Sequence, residues 1–194
     1  MADTKDLAVQ QGKTFTMVLR WEAEPTIYRP ITAIQQTAPV RMTVDTTGLP
    51  DGWRCAVTNV KGMTEINAEA NNLKDKDYRS VTVIDPTTLE INTVNAAGFK
   101  AYASGGILQY NTPVDLTGYT ARMAVKDKVG GTVLHSLTPA LDTAAHTITL
   151  TISATDTAAF AWKTGVYDLE LVSATGVVTA LLAGKVTVSK EVTT

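Results

Sequence analysis

Residues that carry covalent chemistry are scarce in this sequence. It holds one cysteine, Cys55, and two histidines, His135 and His146, among 194 residues. A single thiol excludes any intrachain disulfide framework and suits assembly in a reducing cytoplasm. No uncharged apolar run approaches the roughly 20 residues of a membrane-spanning helix. The amino end, MADTKDLAVQQGKTF, lacks the charged stretch followed by an apolar core that marks an export signal. The expectation is a soluble, unexported protein with no membrane partner.

Charge of either sign is also in short supply as a net quantity. Seventeen basic residues against nineteen acidic ones give a formal net charge of -2, so nothing pulls the chain as a whole toward nucleic acid or anionic lipid. There is no Gly-x-Ser-x-Gly elbow, no His-Glu-x-x-His and no paired Cys or His spacing of a metal site. His135 and His146 fall in or beside alternating stretches with no acid or thiol at a catalytic spacing. These absences predict no catalytic, cofactor-binding or metal-ligating residue, no nucleic-acid partner and no enzyme.

What the chain has in abundance is threonine and valine, whose branched side chains fit a pleated, half-buried surface better than a helix. Lys13 to Trp21 alternates Phe15, Met17 and Leu19 against Thr14, Thr16, Val18 and Arg20, the period of two of a strand. The same period returns after Pro113, with Tyr119, Ala121, Met123 and Val125 on one face. That strand reads as the hairpin partner of the first. Further strands are expected at 132–137, 146–152, 166–172 and 177–188, separated by turn chemistry at Gly130-Gly131 and Ala174-Thr-Gly176. Ser153 with Asp156 has capping-box spacing and predicts a short helix through Ala161.

Between these alternating blocks lies a stretch of different texture. Glu24-Pro25 breaks the first strand, and short strands are expected at 31–37, 40–45, 53–60, 80–84, 88–91 and 106–109. Gly48-Leu-Pro-Asp-Gly52 and Asp85-Pro86 supply turns, Asn71 to Asp77 a polar loop, and 95–101 an irregular helical turn. The predicted fold class is all-β: a β-sandwich of residues 1–24 and 112–194, with a second small β-barrel-like domain, 25–111, inserted in its first hairpin. Such an insertion costs little, because loop-closure entropy grows slowly with loop length.

Asp115-Leu-Thr-Gly-Tyr-Thr-Ala-Arg-Met123, Thr147 to Thr157, Gly165 to Leu171 and Leu182 to Val188 resemble, in that order, a β-sandwich module of phage virion proteins. The amino-terminal domains of baseplate upper proteins are similar. Val40-Arg-Met-Thr-Val44, Gly48 to Gly52, Val60 to Asn67 and Ser104-Gly-Gly106 resemble a β-barrel-like module of phage tail and fibre proteins. That module is similar to an accessory β domain of ubiquitin-activating enzymes, and Thr47 stands where its usual His would be. The resemblance implies a structural protein of a tailed-phage virion, assembled in the bacterial cytoplasm. Its expected role is a connector at the head, neck, tail or fibre, or a capsid decoration, bound to other virion proteins and to further copies of itself.

Four residues are candidates for contact with a partner. Trp53 and Tyr110 are candidate aromatic platforms for a protein surface or a host glycan, against the alternative that a tryptophan at a strand position is buried with its indole N–H satisfied. Asp168 and Glu170 share a strand face and form an acidic stripe, or else the solvated face of an antiparallel sheet. Ala2 to Gln10 and Ser189 to Thr194 read as docking arms. Cys55, in a strand beside Arg54, reads as a buried small hydrophobe.

Overall fold

A computed structural model describes residues 2–69 and 72–191. Asn71 of the expected polar loop and 192–194 of the expected carboxy-terminal arm lie outside those residues. The chain divides into two compact units, Met1–Trp21 with Asp115–Thr194, and Glu22–Val114. The first unit opens with strands β1 (Asp3–Thr4), β2 (Leu7–Gln10) and β3 (Phe15–Leu19). The second holds β4 (Glu22–Gln35), β5 (Val40–Val44), β6 (Arg54–Lys61), β7 (Arg79–Ser80), β8 (Thr82–Asp85), β9 (Thr88–Ile91) and β10 (Ser104–Pro113). The first then resumes with β11 (Thr120–Lys126), β12 (Val133–Leu137), β13 (Ala140–Asp142), β14 (Thr147–Ile152), helix α1 (Ala154–Ala158), β15 (Thr164–Val172) and β16 (Val178–Ser189). The fold is all-β.

The first unit is a sandwich. One sheet runs β1-β16-β15-β11-β12, with β2 also on β16, and the other runs β13-β14-β3. Both send alternate side chains into one core: Met123, Leu169 and Leu171 from the first, Ile148, Leu150 and Ile152 from the second. The period of two puts Ala121, Met123 and Val125 inside, as the alternation predicts.

Two expectations about this unit are corrected. The strand β3 is not the hairpin partner of β11: it pairs with β14, while β11 lies between β15 and β12 in the other sheet. The second unit therefore follows a strand of one sheet and precedes a strand of the other, and is not inserted in a hairpin. Alternation decides which side chains face the core but not which neighbour completes the ladder, and both sheets face the same core.

Nor is Ala2 to Gln10 a free arm. β1 and β2 run parallel to β16 in a single register, Asp3 opposite Leu182 and Leu7 opposite Val186. Leu7 and Val9 are buried. A Cβ on Gly184 would lie 2.2 Å from the Lys5 carbonyl oxygen, so the close passage of that chain requires glycine there. Ser189, where the other arm was expected to begin, ends β16 opposite Gln10.

Helix α1 is shorter than expected but starts where its cap predicts. The Asp156 amide donates to Ser153 Oγ at 3.0 Å. Buried Thr157 ties the helix down, its hydroxyl donating to the Lys13 carbonyl at 2.8 Å.

The second unit is a barrel, and the way it closes is visible in its ladder. The strand order is β7-β6-β10-β4-β5-β9-β8, whose two ends are consecutive pieces of one stretch. Between them Val81 continues the pairing: its N–H donates to the Trp53 carbonyl, and its carbonyl accepts from the Gly52 amide, both at 2.9 Å. Residues Arg79 to Asp85 thus lie between β6 and β9 and join the sheet to itself. Val40, Met42, Leu89, Ile91, Leu108 and Met63 fill the interior.

The expected boundaries at 24 and 112 shift outward, because β4 already begins at Glu22 and pairs with β10 as far as Pro113. Pro25 does not break this strand. It sits where the β4–β10 register shifts between Asn111 and Thr112, so its missing N–H removes no ladder bond. Residues 95–101 form turns and no helix.

Candidate docking surfaces

Trp53 and Tyr110 are both fully buried, which overturns the platform reading of both and, for Trp53, agrees with the alternative of a buried indole. They belong to the wall of the barrel, where a strand has neighbours on both sides and an inward side chain has no route to solvent. The indole Nε1–H of Trp53 donates to the Asn111 carbonyl at 3.0 Å. Tyr110 stands opposite Ile27 on the inner face of β10, its hydroxyl near the Arg29 guanidinium. Burial pushes the phenol up, against the opposing pull of Arg29. Arg29 is itself held by Asp45 Oδ2 at 3.3 Å and the Thr47 carbonyl at 3.2 Å.

The exposed aromatic of this unit is one the sequence reading passed over. Tyr28 is 63% exposed and points outward from β4, opposite Gln109. Its alternation with Ile27 and Arg29 was the available signal, hidden by Pro25 and Pro30 on either side. On the same outer face lies a polar clamp that sequence did not reveal either. Arg54 on β6 makes two bonds to the Glu22 carboxylate on β4, one of them 2.9 Å. Asn111 on β10, between those strands, donates to Glu22 Oε2 at 3.1 Å and accepts from Thr26 at 3.1 Å. Arg54 also reaches Asp75 at 3.2 Å and stacks over Tyr78, 5.2 Å from the ring centre. Every member of this cluster is engaged with another, so it holds three strands and the 75–78 turn together and offers no nucleophile.

Cys55 is buried, and desolvation pushes its thiol well above the ordinary cysteine range, with Glu22 adding to the rise. Such a thiol is protonated and unreactive at neutral pH. His135 meets the edge of the Phe160 ring at 5.1 Å, and His146 sits in a turn with φ of 52°. Among the described residues no group of three or more His, Cys, Asp or Glu is placed to hold a metal ion, and no helix is long and apolar enough to cross a membrane. A groove of about 230 Å³ is lined by Gln35, Thr37, Pro39 and the Arg41–Glu90 ion pair. That is below the ~300–1,000 Å³ of ligand pockets.

Asp168 and Glu170 do share the outward face of β15, yet they differ in company. Glu170 accepts from Arg122 Nε across the strand pair at 2.7 Å. Asp168 is exposed, with Ala124 and Ala183 as its cross-strand neighbours. The acidic stripe is therefore half neutralised, and Asp168 is its free end.

Sheet edges remain, since an edge carries unpaired backbone donors and acceptors. In the barrel, Arg79 to Asp85 join β6 to β9, and the stretch of β4 that pairs with β10 alone, Glu22 to Pro30, carries Pro25 and Pro30. Among the described residues, three of the four edges of the sandwich carry obstacles. β1 and β2 are separated by Lys5 and Asp6, with Asp6 Oδ1 turned onto the Lys185 amide at 2.9 Å. β12 borders a register shift at Val125 and Lys126 and is followed by Pro139. β13 has three residues and ends in Asp142.

The remaining edge, β3, has five residues, no charge, no proline and no glycine. Its one sheet neighbour among the described residues is β14. Phe15, Met17 and Leu19 point at the core but are only partly buried, whereas Ile148, Leu150 and Ile152 beside them on β14 are buried. Val18, on the outward face, is 53% exposed. Compared with known proteins, the chain matches no family model and no curated protein.

Proposed function

We propose that this chain is a non-enzymatic structural protein of a tailed-phage particle, a connector that joins virion surfaces at the head, neck, tail or fibre. The observation that carries the reading is β3, an uncharged sheet edge left beside a core it only partly covers. Adding a strand there satisfies backbone groups and buries Phe15, Met17 and Leu19 in one step, the usual way a β module takes on a partner. The ordered resemblance of segments in both units to phage modules supports the choice of particle, and Asp168 supplies an exposed charge that can set orientation. The test is to purify phage particles with and without the gene. The chain should be present in them in a fixed number of copies, and its deletion should leave unjoined parts. A chain present in the infected cell but never in the particle overturns the proposal.

A second reading, binding of a host glycan, has one specific observation in its favour. Tyr28 offers an exposed ring on the outer face of β4, a stacking surface of the kind that sugars use. A glycan array that lights up with the intact protein and goes dark with Tyr28→Ala supports it, and a blank array retires it.

A further inference from the structure

Deciding what pairs with β3 starts from the geometry of its own face. Its inward side chains are Phe15, Met17 and Leu19, and its outward ones are Thr16 and Val18. Two copies of this strand can lie antiparallel about a two-fold axis normal to the sheet, which keeps both cores on the same side. Directly opposed residues in such a pair point to the same face. Inward must then meet inward, so only registers whose paired residue numbers sum to an even value are allowed. Of these, the register centred on Met17 gives all five residues a partner. It sets Phe15 against Leu19 of the second copy, Thr16 against Val18, and Met17 against Met17.

The flanking charges accept this register. Lys13 falls opposite Trp21 and Arg20 opposite Thr14, so no like charges are directly opposed. Lys13 is moreover already paired with Glu191 at 2.6 Å. The cross-strand pairs are apolar or β-branched throughout, the kind that stabilise a ladder. Because the contact is isologous, it closes on itself and does not propagate into a fibre.

We propose that β3 pairs with β3 of a second copy about a two-fold axis through Met17, joining two three-stranded sheets into one of six. The inference rests on the docking reading of β3 given above. Five residues a side are far fewer than the roughly 20–30 of a stable interface. The pair therefore forms when copies are concentrated or held in an assembly, and dilute protein is monomeric.

The test uses cysteine cross-linking of concentrated full-length protein, with buried Cys55 as an unreactive background. Met17→Cys lies on the axis and should form a disulfide dimer. Thr16→Cys alone, or Val18→Cys alone, should not, since each residue is about 8 Å from its own copy, beyond disulfide reach. A mixture of Thr16→Cys and Val18→Cys should cross-link, which carries the test if Met17→Cys does not fold. Equal dimer yields from all samples, or no dimer in any, overturn the pairing. A separate variant, Val18→Lys, charges the exposed face of β3 and should lose incorporation into particles. Lost incorporation without any cross-link means that β3 receives a different protein, which overturns this inference and spares the docking reading. Retained incorporation without any cross-link overturns both.

Discussion

Replacing Trp53 by alanine tests the barrel core, because the residue is fully buried and its Nε1–H satisfies the Asn111 carbonyl. Truncating a buried tryptophan costs about 3–5 kcal/mol, and the lost hydrogen bond favours the upper part of that range. The second unit carries its own reporter, since Cys55 is the sole cysteine and lies in the same core. Its thiol is held protonated by burial, so a thiol reagent reads the fraction of molecules in which the barrel is open. A cost of about 3–5 kcal/mol raises that fraction, and the labelling rate, by roughly 10²- to 10⁴-fold. Trp53→Phe, which keeps most of the ring volume, should fall between wild type and Trp53→Ala. A rise below about fivefold, equivalent to ~1 kcal/mol, would refute the placement of the indole. An exposed platform would give that small effect.

The same thiol makes the barrel sensitive to alkali. An unfolded cysteine titrates near pH 8.5 and the folded one well above it, so the stabilisation is full below about 8.5 and is lost as pH rises beyond. The stability difference between wild type and Cys55→Ala, read by urea unfolding, should move by about 2 kcal/mol in favour of the alanine variant from pH 8 to 10. In the first unit, burial, with Asp6 adding to it, pushes the Tyr167 phenol up to about 12, and its hydroxyl donates to the Lys5 carbonyl at 2.7 Å. Tyr167→Phe should cost about 1 kcal/mol at neutral pH, yet it should escape the loss of stability that wild type suffers as pH rises from about 10 toward the folded value. Ser153→Ala removes the cap of α1 and should lower the stability of the same unit by about 1 kcal/mol, measured by thermal melting with the second unit as internal control.

The parts of the fold legible in the sequence are those where one face meets the core and the other meets water. β3, β11, β14 and β15 alternate cleanly for that reason, and the turn glycines at 48, 52, 130 and 176 all take positive φ. The neighbour of each strand was not legible. β3 and β11 carry equivalent patterns, and only the packed sandwich assigns them to different sheets. Leu7 and Val9 alternate over just four residues, among Asp3, Lys5 and Asp6, so β2 looked like a polar tail until its partner β16, almost the whole chain away, was in place. Pro25 and Pro30 concealed β4 and with it Tyr28, because a proline reads in sequence as a strand break, and only the paired structure shows that Pro25 sits at a register shift. Trp53 and Tyr110 are each enclosed by strands distant in sequence, so nothing in their local spacing shows which way the rings face. The Glu22–Arg54–Asn111 clamp draws on three strands from both ends of the unit and leaves no trace in local spacing.

The pairing of β4 with β10 has an evolutionary corollary. Glu22 faces Pro113 and Ala23 faces Thr112, so the backbone leaves the barrel about 5 Å from where it came in. The barrel is thus a cassette on a very short tether: a linker of a few residues would replace it without stretching the flanking segments. Exchanging such a cassette for another whose ends are equally close would alter what the chain displays and leave every strand register outside it unchanged.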